Sequence, residues 1–239
     1  MSDAQENAWD LEYRSRKMLS PSNVPHADVV RFTRWLKKRD KKAGSPRDFY
    51  GQYVLDLGSG TGRNSFYYAQ QGAVVQGFEL SNTALTMAGT YARHADLPIE
   101  YRKQDIGKTY PVSTASIDLI LDITSSNSLM DDARALYLSE CARVLKPGGW
   151  MLVRALCREG DAHAKALIAG DPGADPDSYV HPDLHIVEKT FTRASFREMY
   201  GKYFDIIELD QIQHYVMVAG RRYKRNYFIA YLQKPVEPQ

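Results

Sequence analysis

The chain has 239 residues, 44% hydrophobic and 25% charged, which suits one large globular domain with a sizeable core. A net charge of +2 argues against a strongly basic nucleic-acid footprint, and two cysteines, Cys141 and Cys157, do not make a disulfide framework. No apolar run approaches the ~18 residues of a membrane span, and the N-terminus shows no apolar signal region, so a cytoplasmic protein without a membrane partner is expected.

In chain order, residues 1–48 read as an N-terminal helical arm or cap. The polar stretch 1–20 carries Trp9, Tyr13, Arg14, Arg16 and Lys17 and is broken by Pro21 and Pro25. A helix over 27–38 places Val29, Phe32 and Leu36 on one stripe. The cations Lys37, Lys38, Arg39, Lys41 and Lys42 at its end suit the helix dipole. Gly44-Ser45-Pro46 then links into a domain over 49–239.

There an alternation begins. A strand over 53–57 leads to a helix closed by Gly72, and a strand over 73–78 ends at Glu79. Ser81 caps a helix to about 94, and a strand over 99–102 leads to Asp105. A strand over 117–122 precedes a helix over 131–145, a turn at 146–149 and a strand over 150–156. This order predicts a parallel sheet with helices on both faces. Residues 158–190 are rich in Gly, Asp, Pro and His. They read as a lid-like insertion, a helix over 162–169 followed by an irregular loop. Thr192 caps a helix to about 203. Strands over 204–211, extendable to 218, and 223–233 finish the chain, and the short link 219–222 suits a hairpin.

The most informative stretch is Tyr53-Val-Leu-Asp-Leu-Gly-Ser-Gly-Thr-Gly62, a strand running into three alternating glycines and then a helix. Glycines there accept backbone angles closed to other residues and let a ligand approach the main chain. A dinucleotide fingerprint needs glycine at 58, 60 and 63, but position 63 is Arg. Asp56 beside the turn repels a pyrophosphate and suits a ligand with a cationic end.

Asp56-Leu-Gly58-Ser59-Gly60-Thr-Gly62 resembles the first motif of class I S-adenosylmethionine (SAM)-dependent methyltransferases, over about 54–152. The continuation Gly62-Arg63-Asn64-Ser65 looks most like the small bacterial branch with the tellurite-resistance methyltransferase. The resemblance implies an α/β, Rossmann-like fold whose seven-stranded, mostly parallel sheet carries an antiparallel C-terminal strand. It also implies SAM as cofactor and a small-molecule methyl acceptor as partner.

Asp56, Gly58, Glu79, Asp105 and Asp122 all fall at or just past strand ends, where an open α/β sheet binds its ligand. Glu79, 21 residues after Gly58, can accept both hydrogens of a ribose diol. The resemblance gives it that role, lays Leu80 against the adenine, puts Asp105 and Ile106 at the adenine amino group, and turns Asp122 toward the transferred methyl. A helix cap or core hydrogen bond is the plain alternative for Asp122. Ser59 and Gly60 line the turn, and free N–H groups at Arg63 and Asn64 can hold the cofactor's carboxylate. Tyr13 folds over the cofactor by the same resemblance, with a packing role as its alternative. Methyl transfer needs positioning more than a dedicated base. If one is required, His185 is the leading candidate over His181, His214 and Tyr215, against a surface role. Cys157 can line the pocket or be an inert thiol. No metal site is legible, since Pro182 disfavours a helix across His181 and His185.

Three readings compete with this one. A nicotinamide oxidoreductase conflicts with Arg63 and Asp56. An aminopropyltransferase or a non-catalytic SAM-binding module uses the same fold. An RNA or protein acceptor is suggested by the basic clusters 37–42 and 221–225, the second interleaved with Tyr223 and Tyr227. Tyr223, Tyr227 and Tyr231 also fit one face of a half-buried strand. Neither the acceptor nor the oligomeric state is written in the sequence.

Overall fold

The computed structural model describes residues 3–15, 22–218 and 221–236. Pro21 and the link residues 219–220 lie outside them. Two helices lead, α1 (Asp3–Ser15) and α2 (Ala27–Lys42), and β1 (Tyr53–Leu57), α3 (Arg63–Ala69), β2 (Val74–Glu79), α4 (Asn82–His94) and β3 (Ile99–Lys103) follow. Next come β4 (Ile117–Ile123), a 3-10 turn (Ser126–Ser128), α5 (Asp131–Val144) and β5 (Leu145–Cys157). The last third holds α6 (Ala162–Gly170), β6 (Ser178–Val180), β7 (Val187–Lys189), α7 (Arg193–Tyr200), β8 (Asp205–Val218) and β9 (Arg221–Gln233).

Seven strands form one sheet in the order β3-β2-β1-β4-β5-β9-β8. β1 pairs in parallel with β2 and β4, β2 with β3, and β4 with β5; β9 runs antiparallel to both β5 and β8. Strand order reverses between β1 and β4, the crevice where ligands gather in doubly wound sheets. This is the doubly wound, Rossmann-like architecture expected from the sequence, with its antiparallel C-terminal strand.

Both sheet faces are covered. Val29, Phe32 and Leu36 of α2 join Tyr68 of α3 and Leu119, Trp150 and Ile229 of the sheet in one apolar layer. Tyr137, Leu138 and Cys141 of α5 join Phe196 and Tyr200 of α7, Ile120, Met151 and Phe228 in the other. The cations at the end of α2 serve its surface: Lys37 donates to Gln71, and Arg39 lies 4.6 Å over the Trp150 ring.

Three expectations need correction. The 146–149 turn lies within β5: Ile117 pairs with Leu145 and Leu119 with Trp150, so 146–149 bulge out of a continuous ladder. The 158–190 segment is not irregular after its helix; β6 and β7 form a two-stranded antiparallel ribbon. α7 ends at Tyr200, where Gly201 takes the C-cap, rather than near 203.

Candidate cofactor and acceptor site

The glycine turn needs its glycines for close contact as well as for backbone angle. Gly58 and Gly60 have φ of +64° and +55°. A Cβ on Gly58 would stand 2.2 Å from Ser125 Oγ, and one on Gly60 would stand 2.6 Å from the Tyr13 hydroxyl. A Cβ on Gly62, at φ +89°, would stand 2.2 Å from the Tyr101 hydroxyl. The turn is therefore clamped between the loop after β4, the N-terminal helix and β3.

Beyond the strand ends opens a cavity of about 200 Å³ that runs on into solvent. The glycine turn contributes Gly58, Ser59, Gly60 and Thr61; Arg63 and Asn64 begin α3 beside it. Glu79, Leu80, Gln104 and Ile106 follow β2 and β3, Ile123, Thr124, Ser125 and Ser128 follow β4, and Trp9 and Tyr13 come from α1.

Glu79 is buried, and its carboxylate organises this rim. It accepts N–H bonds from Gly60 (2.9 Å), Leu80 (2.8 Å) and Ser81 (2.8 Å). Burial holds its pKa above the usual carboxylate value despite those bonds. A carboxylate offers about four acceptor directions. Three are used, so as arranged Glu79 can take one further hydroxyl; accepting both hydroxyls of a diol requires a backbone partner to yield.

Asp56 does not line the cavity. It is buried behind the turn, accepting the Ser65 hydroxyl at 2.7 Å, and burial raises its pKa to about 6. Asp105 is buried and accepts the Gly107 N–H at 2.8 Å, while its neighbours Gln104 and Ile106 face the cavity. Asn64 spends its Oδ1 on the His26 N–H at 2.9 Å. α3 has seven residues, so its N-terminal field is short in reach. The positive charge at this corner is the half-buried Arg63 side chain, which makes no hydrogen bond or ion pair among the described residues. Ser59 Oγ and Tyr101 Oη are buried without a hydrogen-bond partner.

The two residues expected to be catalytic do not reach the cavity. Asp122 is fully buried behind it, accepting N–H bonds from Ser125 (2.9 Å) and Ser126 (3.2 Å) and the Tyr137 hydroxyl (2.6 Å). It pins the loop that carries Thr124, Ser125 and Ser128, which is a positioning role. His185 is exposed in the turn after β6, at φ +53°. His181 is buried, and its Nδ1 accepts N–H bonds from Asp183 and Leu184. Cys157 is buried with its pKa pushed up to about 11, an unreactive thiol. No group of three or more metal-ligating side chains is present among the described residues, and no described helix is long and apolar enough to cross a membrane.

α1 forms one wall. Asp10 accepts the Ser81 hydroxyl (2.5 Å) and the Thr83 N–H (3.0 Å), while Gln5 Nε2 donates to Ser128 O (2.8 Å) across the mouth. Tyr13 is thereby laid over Gly60, and burial raises its pKa, so the phenol is a neutral donor. Trp9, one helical turn earlier, shares its face; the i, i+4 spacing was the only sequence signal for it. Ser125 and Ser128 had none, because Ser125 reaches Gly58 and Ser128 reaches Gln5 only through long-range contacts.

The comparisons agree with this geometry. Residues 54–149 match the family described as a methyltransferase domain. A ubiquinone biosynthesis O-methyltransferase of Paracidovorax citrulli is 31% identical over 122 residues, 51% of this chain and 50% of that protein. Its counterpart in Dinoroseobacter shibae is 31% identical over 165 residues, 68% of this chain and 64% of that protein. The chain spans about half the length of several of the curated relatives it matches. The Burkholderia thailandensis 1,6-didemethyltoxoflavin-N1-methyltransferase, solved with its didemethyltoxoflavin and S-adenosylhomocysteine, shares the fold. Its TM-score is 0.65 at 16% identity, over 97% of this chain and 88% of that one.

Proposed function

We propose, from the match of residues 54–149 to the family described as a methyltransferase domain, that the protein transfers a methyl group from SAM to a small-molecule acceptor, leaving S-adenosylhomocysteine. The observation that carries the proposal is the joint placement of the glycine turn, Glu79 and the α1 wall around one cavity at the switch between β1 and β4. The residues fit the cofactor. Glu79 has an acceptor direction free for a ribose hydroxyl. Leu80 and Ile106 offer apolar faces to a base, and Gln104 offers an amide. Arg63 supplies a cation for a carboxylate, and Tyr13 supplies a hydroxyl over the turn.

When bound, SAM supplies a methyl carbon already activated by its sulfonium. The chain's own task is to hold the two ligands in line and keep water out. Correct placement alone can supply ~7–11 kcal/mol of a bimolecular barrier. Trp9 and Tyr13 cover the nucleoside side. Asp122, through Ser125 and Ser126, sets the wall between the β4 loop and the acceptor. α1 acts as a cap, and the 158–190 segment packs beside the start of α5 through Lys189 and Asp131. Two buried cysteines that form no disulfide support a cytoplasmic setting.

The test is calorimetric titration with S-adenosylhomocysteine. The wild type should bind, and Glu79→Ala should weaken binding by more than tenfold, about 1.4 kcal/mol or more. Unchanged affinity in folded Glu79→Ala removes Glu79 from the site; no binding by the wild type removes the methyltransferase reading.

A further inference from the structure

We propose that Arg154, with His26, seats an anionic group of the methyl acceptor, so that the substrate class is a small organic acid. This rests on the methyltransferase reading above.

Arg154 sits near the carboxyl end of β5, on the sheet face covered by α2. Its side chain is nine-tenths buried. The guanidinium carbon lies 3.4 Å from the Tyr227 ring centroid. Its Nε has no hydrogen bond and stands 3.4 Å from Asp28 Oδ2, an atom that is itself buried without one. A guanidinium presents five N–H groups in a planar fork. Burying it with its donors unfilled is costly unless a ligand completes them. Asp28 cannot do so alone, because its other oxygen is shared with Arg31 at 3.4 Å.

The patch borders the cavity. Arg154 is in register with Ile123, and its carbonyl accepts the Thr124 N–H at 2.9 Å; both neighbours line the cavity. His26 is tied by its own N–H to Asn64, another lining residue. Arg63 lines the cavity directly and feels the field of Arg154. Asp56 also lies within Coulombic reach of Arg63, but no ion pair forms between them among the described residues. With the cofactor's carboxylate on Arg63, Arg154 remains for the acceptor.

His26 completes the seat as a donor. Its Nδ1 accepts the Asp28 N–H at 3.2 Å, so in the neutral ring the proton resides on Nε2. Burial first, then the positive fields of Arg154 and Arg63, lower its pKa to about 4, against the opposing pull of Asp28. At neutral pH it offers an N–H and no second positive charge. Charge-assisted bonds from a planar fork plus one imidazole N–H match a carboxylate or a comparable oxyanion. His214, with its ring 6.2 Å from Tyr227, edges the same patch.

The test uses the S-adenosylhomocysteine complex of the full chain and a panel of small carboxylates, acetate, malonate, benzoate and 4-hydroxybenzoate, each paired with its neutral amide. Binding is read by saturation-transfer NMR and calorimetry. At least one acid should bind the wild type, its amide should not, and Arg154→Met should weaken the acid at least tenfold while S-adenosylhomocysteine affinity stays within threefold. If Arg154→Met does not fold, Arg154→Lys must still lose at least threefold, since a point charge cannot replace the fork. Equal binding of acids and amides, no binding by any acid, or an unaffected variant overturns the proposal. Loss of S-adenosylhomocysteine binding in folded Arg154→Met also overturns it, by placing Arg154 on the cofactor side. A wild type that never binds S-adenosylhomocysteine fails at the earlier reading instead.

Discussion

Asp56 shows how a single side chain can act on the cavity without facing it. Burial holds its pKa at about 6, more strongly than the Ser65 hydroxyl bond and the field of Arg63 pull it down. A cationic ligand favours the ionised form, so binding should release a proton and tighten as pH rises through about 6. Below that value the carboxyl is protonated and the attraction is lost. If binding requires the anion, SAM affinity at pH 5 should be about tenfold weaker than at pH 7. Calorimetry at the two pH values tests this, and Asp56→Asn should flatten the difference; an equal slope in the variant assigns it to another group. His26 titrates near 4 and stays outside the window. At this scale the sequence was informative where chemistry and position coincide: the glycines and Glu79, a local string and a strand end, line the cavity, whereas Asp56 lies behind the turn. It misdirected for Asp122 and His185, because the direction of a side chain at a strand end or in a turn depends on what packs against it. Asp122 turned inward to Ser125, Ser126 and Tyr137, and His185 turned outward.

α1 belongs to the site only through its docking. Its own sequence is polar, and its hold on the domain runs through Asp10 on the start of α4, Gln5 on Ser128 and Glu6 on Lys103 at 2.5 Å. Asp10→Ala removes its two bonds to the start of α4, leaving those of Arg14 to Thr83 and Glu6 to Asn82, and leaves the sheet untouched. We expect S-adenosylhomocysteine to dissociate at least threefold faster in stopped-flow displacement, with the melting temperature of the main transition lowered by no more than about 4 °C, the equivalent of ~1 kcal/mol. An unchanged off-rate would mean that α1 does not retain the cofactor. The helix itself could be anticipated, but its partner could not, since Asp10 and Ser81 are 71 residues apart. The β6–β7 ribbon escaped notice for another reason. Each strand has three residues, too few for alternation to stand out from a polar loop.

Across the whole molecule, the variable segment is locked to the sheet by a buried polar network. Asp161 caps α6 through the Ala164 N–H at 2.7 Å and accepts Arg225 Nε at 3.2 Å and the Asn226 N–H at 2.9 Å. Arg225 also donates to the Tyr179 hydroxyl at 2.9 Å, which in turn donates to Glu188. Arg225 is thus taken from the basic cluster that suggested RNA and placed in the interior. Removing one partner of a buried ion pair leaves the other uncompensated, so Asp161→Ala should cost ~3–5 kcal/mol. Urea denaturation should show this as a lower midpoint at an unchanged slope; a loss below ~1 kcal/mol would show that the network is not what fastens the segment. The alternation of strands and helices from β1 to β5 and the glycine turn at the head of α3 were legible in the sequence alone, because each is a short-range pattern of periodicity and glycine. Tertiary structure alone decided which acids face the cavity, which helix closes it, and that Arg154, Arg63 and His26 lie within electrostatic reach of one another, because those depend on residues far apart in the chain.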